Sequence, residues 1–464
     1  MKAFLSGTAI CLSAFANLAQ AQSIAPEPAE SVVPFAQLQE AAQTGKVIES
    51  ATSNQVTDHA TALTLSDAEA RALKNHPRLL AEQFRVEAAN RRISEPRASY
   101  FPQAFGNLTA VEANGDTAVA AGALTTSSIS TRAAGGASLV QMITDFGHTA
   151  NLVQSARFEA RAARQNEESL RQSILMQVEE AYFSAQGAES IRKTAQAVLD
   201  FRQVTLRQLS ALAESQLRST LDVQFAQVMV SEAELAVVRA DSNVQKTQAQ
   251  LAAAMGEEGE ATYILADSTL PPSPDADPAG YINEAIANGP DLKALKLQSE
   301  SAIHEARAQQ DLNYPTVNAL ASGGEAPIHD STLHHEYGAI GVNINVPIFN
   351  GGLYSARSSV AKLEAKAADK DASLREVEIV RDVRMTWADA RDAFLQIEVS
   401  QRLVDDANVA MRLAKARYDA GLGSIVELNQ AELNQTSALI TGATARFDYL
   451  RAMTAFQFAM GSLH

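Results

Sequence analysis

The sequence predicts a mainly α chain with a small β part, internally duplicated, each copy carrying a short β region and two very long helices. Three observations carry this reading. Proline is absent from 103 to 270 and again after Pro347. Aromatic residues make up only 6% of the chain, so the proline-free stretches, rich in Ala, Gln, Glu, Arg, Leu and Ser, favour long helices over a compact mixed core. Landmarks of the first half also recur, in order, in the second.

The recurrence has a register. Asn75-His76-Pro77 returns as Asn288-Gly289-Pro290, and Pro102 as Pro315, both 213 residues on. Asp145-Phe146-Gly147 returns as Asn350-Gly351-Gly352, STLDVQFAQV (219–228) as SIVELNQAEL (424–433), and Ala254-Met255-Gly256 as Ala459-Met460-Gly461, all 205 residues on. The offset changes between about 103 and 144, where the first copy is eight residues longer. A length difference confined to one place marks a surface loop.

Within each copy a shorter helical segment comes first. Residues 66–95 form it in copy one, with Ser66 as N-cap, Asp67 and Glu69 in the first turn and a break at Pro77. The long helices follow at about 149–216 and 219–255, and at about 353–420 and 424–459. A helix of that greater length spans about 100 Å, more than any ordinary globular core. Leu152, Phe158, Leu170, Ile174, Val178 and Phe183 are interleaved with Ala, Gln and Arg, a coiled-coil texture. A non-conducting periplasmic coiled-coil stalk explains these helices equally well, but not the β segments.

The second β segment alternates: Ile340, Val342, Ile344 and Val346 share one face, Ala339, Gly341, Asn343 and Asn345 the other. That pattern suits a barrel wall in lipid. Its counterpart around 128–143 is richer in Gly and Ala and less regular. Two hairpins give four strands, too few to close a membrane barrel, so subunits must share one if it spans the bilayer.

Five segments result. Residues 1–21 read as a signal peptide, with Lys2, an apolar run over 3–16 and Ala19-Gln20-Ala21 as cleavage site. Residues 22–60 read as a flexible mature N-terminus, 61–258 as the first repeat, 259–276 as a linker and 277–464 as the second repeat. The only cysteine, Cys11, lies in the peptide, which leaves the mature chain without disulfides or thiolate metal sites. The net charge of −16 argues against nucleic acid as a partner. No phosphate-binding loop or nucleophile motif occurs, and the chain reads as neither an enzyme nor a cofactor binder. His329, Asp330, His334 and His335 read as a solvated loop rather than a metal site.

LTLSDAEARALKNHP (63–77), ASYFPQ (98–103), DFG (145–147), VPIFNGG (346–352), ARYDAGLGSIVELNQAEL (416–433) and the two AMG endings resemble the TolC-like outer-membrane efflux family, from about Leu63 to Leu463. Each motif is weak alone; their order in both copies makes the match specific. The resemblance implies a homotrimer with a twelve-stranded β-barrel in outer-membrane lipid, continued by a periplasmic α-barrel. That tunnel would dock onto a periplasmic adaptor and an inner-membrane pump of RND or ABC type. It would serve small-molecule efflux, or alternatively type I protein secretion. The resemblance also implies that the helical tips dock the adaptor, through Arg218, Ser219 and Thr220 in copy one and Gly421, Leu422, Gly423 and Ser424 in copy two. Asp222, Tyr418 and Glu427 resemble the family's periplasmic gate residues. Gly423 and Gln430 depart from it, standing where a gate arginine and a second ring carboxylate are expected. Without the resemblance, Asp222 and Glu427 are equally explained as early-helix acids behind caps Ser219 and Ser424.

Overall fold

The computed structural model describes residues 62–112, 117–121, 124–129, 132–258, 262–328 and 334–463. The signal peptide, the 22–60 segment, Cys11, His329 and Asp330 lie outside the described residues.

Helices α1 (Leu65–Asn75), α2 (Pro77–Arg92) and the single turn α3 (Ser94–Arg97) lead into strands β1 (Gln103–Val111), β2 (Thr117–Ala121), β3 (Leu124–Ile129) and β4 (Arg132–Thr144). Helices α4 (His148–Glu214) and α5 (Thr220–Ala254) complete the first half. The second half runs α6 (Ala279–Asn288), α7 (Pro290–Asp311), β5 (Thr316–Ile328), β6 (Glu336–Asn345), α8 (Leu353–Asp419) and α9 (Ile425–Ala459). The chain is mainly helical, and the long helices repeat in length: α4 and α8 have 67 residues each, α5 and α9 have 35 each.

Backbone punctuation repeats as well. Among the described residues, left-handed backbone occurs at Phe146, Gly147, Gln216, Gly256, Gly351, Gly352, Gly421 and Gly461. These form four pairs, each 205 residues apart. The break before proline recurs too, since Pro77 and Pro290 both open a helix at its first turn, where a missing N–H costs nothing.

The first helix starts two residues earlier than Ser66 as N-cap would place it. Thr64 is the N-cap: its hydroxyl accepts from Asp67 N at 3.2 Å, and Asp67 returns a bond to the Thr64 backbone. Ser66 also has an acid three residues on, Glu69, but it lies inside the helix, and the reciprocal capping box is made by Thr64 with Asp67.

The strands form a four-stranded antiparallel sheet in the order β1-β4-β5-β6, with β4 of the first half paired to β5 of the second. The extra length of the first copy between 103 and 144 carries a separate hairpin, β2–β3. The weak patterning of β4 has a packing cause. A Cβ at Gly136 would meet the Tyr337 hydroxyl, and one at Gly324 would meet the Gly135 carbonyl, so glycine makes room for the tyrosine and for close strand approach. On β6 the alternating apolar face is open: Ile340 is 90% exposed, Val342 63% and Ile344 61%.

Four side-chain clusters hold the helices together. Leu63, Ala68, Ala72 and Leu79 pack against Ile174, Val178, Tyr182 and Leu251, seating α1 and α2 on α4 and α5. Ala285 and Leu292 pack on Ile379, Val383 and Phe456 in the same way in the second half. Smaller clusters lie nearer the tips. Many core residues are alanines, which lets long helices approach closely. The segment from 262 to 278 has no helix or strand and is tied down by side chains. Tyr182 Oη lies 2.8 Å from the Leu63 carbonyl and 2.9 Å from the Ala266 carbonyl, Tyr449 donates to Pro272 and Trp387 to Asp275. Among the described residues no helix is long and apolar enough to cross a membrane.

Candidate gate at the helical tips

Each long helix pair turns at a tip about 100 Å along the helix axis from the sheet, the length that 67 helical residues span. In copy two, Gly421 adopts the left-handed conformation, and Leu422 and Gly423 donate back to the Arg417 carbonyl at 2.8 and 3.1 Å. In copy one, Gln216 holds the same conformation at φ 59°, and Leu217 donates to the Leu212 carbonyl at 2.9 Å. Ser219 and Ser424 cap the returning helices: Ser219 Oγ accepts from Leu221 N and Ser424 Oγ from Glu427 N. Thr220 opens α5.

The structure brings Arg218, Asp222 and Tyr418 together across the two tips. Tyr418 is buried, and its hydroxyl donates to Asp222 Oδ2 at 2.7 Å. The Arg218 guanidinium lies 4.2 Å from the Tyr418 ring centroid, while its Nη2 donates to the Tyr418 carbonyl at 2.7 Å. Burial, then the hydrogen bond to Asp222 and that carboxylate's charge, push the Tyr418 hydroxyl up to about 12. The hydroxyl therefore remains a donor at every physiological pH. Leu209, Ala226, Met411, Tyr418 and Leu428 form an apolar floor from all four long helices.

Glu427 is not part of this cluster. It is exposed and lies 3.9 Å from Arg417, which also donates to the Leu422 carbonyl. Gln430 donates to Asn434 one turn on. Gly423 has little room for a side chain, since a Cβ there would lie 3.0 Å from Glu427 Oε2. Leu217 and Leu422 are 70% and 74% exposed, with Leu221 and Val426 also open.

Sequence reasoning missed the contact of Arg218 with Tyr418, although a signal was present. Arg218 stands 205 residues before Gly423, the same offset as the repeat, so the cation absent from copy two stands at the equivalent place in copy one. The Arg417–Glu427 pair had no such signal, because the two residues sit on opposite sides of a turn whose geometry decides their distance.

The outer membrane efflux protein model matches residues 70–257 and 281–462. The chain belongs to that family. The two matched stretches fall one on each half of the fold. The relatives of this efflux protein include the alkaline protease secretion protein AprF of Pseudomonas aeruginosa, 25% identical over 194 residues, 40% of each chain. The outer membrane efflux protein BepC of Brucella suis biovar 1 is 22% identical over 406 residues, 86% of each chain. Among solved structures, the outer-membrane channel OprN superposes with a TM-score of 0.73 at 20% identity, covering 86% of this chain and 90% of that one.

Proposed function

We propose that the chain is one subunit of a homotrimeric outer-membrane channel giving passive exit across the outer membrane and periplasm. Substrates are delivered by an inner-membrane pump through a periplasmic adaptor. The observation that carries the reading is the four-stranded sheet: β6 offers an apolar face to its surroundings, and the outer edges of β1 and β6 are unpaired in the sheet. A sheet with such a face and two free edges fits a barrel completed by neighbouring subunits, and three subunits supply twelve strands. A coiled-coil stalk without a pore has no use for it. The chain acts as a conduit and performs no chemistry; its signal peptide is cleaved near Ala21, and repeats at 61–258 and 277–464 are joined by a linker at 259–276.

At the tips, the Tyr418–Asp222 hydrogen bond, backed by Arg218 rather than by a residue at position 423, acts as the lock that keeps the two helix pairs of one subunit closed together. Three Glu427 carboxylates line the entrance and draw cations to it, an attraction that salt weakens. Ser219, Thr220, Gly421, Leu422, Gly423 and Ser424, with the open leucines beside them, form the surface that meets the adaptor. Small-molecule efflux is the preferred cargo class, supported by the 86% coverage of an efflux relative; the shorter match to AprF favours protein secretion as the second reading.

Membrane fractionation and planar-bilayer conductance test the proposal. A membrane-bound oligomer with discrete conductance is expected; a soluble, non-conducting product would sink it. Glu427→Ala should lose cation block while keeping conductance, and an unchanged block would remove Glu427 from the entrance.

A further inference from the structure

Upstream of the tips, a cleft of about 570 Å³ opens between α4 and α8, with α9 beside it. Its nearest residue on α4, Arg202, lies about 22 Å above Leu217 along the helix. The volume falls in the range of small-molecule sites. Val198, Phe201, Met411 and Leu439 supply apolar lining. Lys193, Arg412 and Lys415 also line it, and none of the three takes part in an ion pair among the described residues. In a protein with a net charge of −16, three unpaired cations around one apolar cleft are a local reversal of sign.

Two further lining residues are buried. Arg202 is spent within the protein, donating to the Met229 carbonyl at 2.9 Å and to Thr436 Oγ1 at 3.4 Å. Glu432 is only 6% exposed, lines the cleft and has no side-chain hydrogen bond among the described residues. Burial raises its carboxyl toward the neutral acid, while Arg202 and Lys415 oppose that. A carboxyl that lines the cleft and makes no side-chain hydrogen bond is open to one with a ligand oxygen.

We propose that this cleft is a binding site for a small amphiphilic anion, with its apolar body against Phe201 and Met411 and its anionic head among Lys193, Arg412 and Lys415. An aryl sulfonate, a fatty carboxylate and an organic phosphate share this chemistry. Glu432, in its acid form, donates to the bound head; as a carboxylate it repels it. The ligand sits on the seam between the helix pairs that meet lower down through Tyr418 and Asp222, so occupancy favours whichever spacing of α4 and α8 it fits.

The full-length protein in lipid nanodiscs is titrated calorimetrically with 1-naphthalenesulfonate and, separately, with 1-naphthylmethylammonium. Saturable binding of the sulfonate, at least tenfold tighter than the ammonium, is expected. Arg412→Glu with Lys415→Glu should abolish that preference, and Lys193→Glu, at an exposed position of the rim, should weaken the sulfonate several-fold without touching the fold. Glu432→Gln, which keeps a donor and removes the negative charge, should tighten it at neutral pH. Equal affinity for the two probes, or charge reversals that leave the sulfonate unaffected, would overturn the proposal. Conductance measured on the same preparations separates this outcome from failure of the channel reading, because the cleft variants leave the pore and tip residues intact.

Discussion

Glu69 and Glu179 share a hydrogen bond, and two carboxyl groups can do so only while one of them holds a proton. Glu179 lies buried on α4 and also accepts from Thr454 Oγ1 of α9 at 2.6 Å. Glu69 reaches it from α1. Burial, then the neighbouring charge and hydrogen bond of Glu179, push the Glu69 carboxyl up to about 7, and burial also raises Glu179. Glu180 on α4 is raised by burial and held back by Arg451 of α9. Because the folded-state value of Glu69 lies above its ordinary 4.5, the folded state holds the proton more tightly than the unfolded one. The stabilisation is therefore complete below about pH 4.5 and is lost as pH rises through about 7. Taken at face value the shift would amount to roughly 3 kcal/mol, but Glu69 is partly exposed and solvent screens it, leaving about 1–2 kcal/mol. Glu69→Gln mimics the protonated acid and should keep the contact at every pH. Hydrogen exchange of α1 amides, corrected for intrinsic rates, is the assay. In the parent, protection should fall by roughly 5- to 30-fold between pH 5 and pH 8, and in the variant it should stay level. Equal protection of the parent at both pH values, or a variant that retains the parent's fall, would refute the shared-proton account.

Tyr418→Phe removes a hydrogen bond to a carboxylate worth about 2 kcal/mol, so the open fraction in bilayers should rise by about tenfold or more; parental conductance would mean the lock lies elsewhere. Arg218→Ala should open the channel as well, because it removes the ring contact and the bond to the Tyr418 carbonyl, and single-channel recording compares the two variants. Gln216→Gly relieves a left-handed glutamine and should stabilise the copy-one tip by about 1 kcal/mol, read as slower hydrogen exchange in the turn. Gly324→Ala sets a methyl group against the Gly135 carbonyl and should cost about 1–3 kcal/mol, seen as reduced yield of the membrane oligomer. Tyr337→Phe should not rescue it, since the backbone clash remains.

Much of the architecture is legible because long-range register survives in the sequence. The 205-residue offset that joins Ala254-Met255-Gly256 to Ala459-Met460-Gly461 also joins the left-handed positions, including Phe146 and Gln216, whose side chains give no hint of it. The helix ends were legible where serine caps and glycine turns mark them, as at Ser219, Gly421 and Ser424. At the first helix the sequence offers two serine/threonine–acid pairs at the same spacing, Thr64 with Asp67 and Ser66 with Glu69, and the cap falls on the first. The β2–β3 hairpin was hidden because its residues are mostly Ala, Ser and Thr, with Val119, Leu124 and Ile129 too far apart to give strong alternation. The glycines of β4 and β5 were legible only as irregularity until Tyr337 supplied their reason. At the tips, Tyr418 and Asp222 could be singled out from sequence resemblance, whereas the clamp on Tyr418 by Arg218 required two turns 200 residues apart to be seen side by side.

The unpaired edges of β1 and β6 have a thermodynamic consequence. An isolated subunit would present two strands of nine and ten residues with backbone donors and acceptors lacking strand partners, beside an apolar face. If the sheet lies in lipid as proposed, those groups have no water to turn to, and the sheet becomes stable only when neighbouring edges arrive. On the proposed trimer reading, folding of this end of the chain is then a reaction of higher order in subunit concentration. Dilution should then unravel the sheet, and mutations that weaken it should be buffered by abundance.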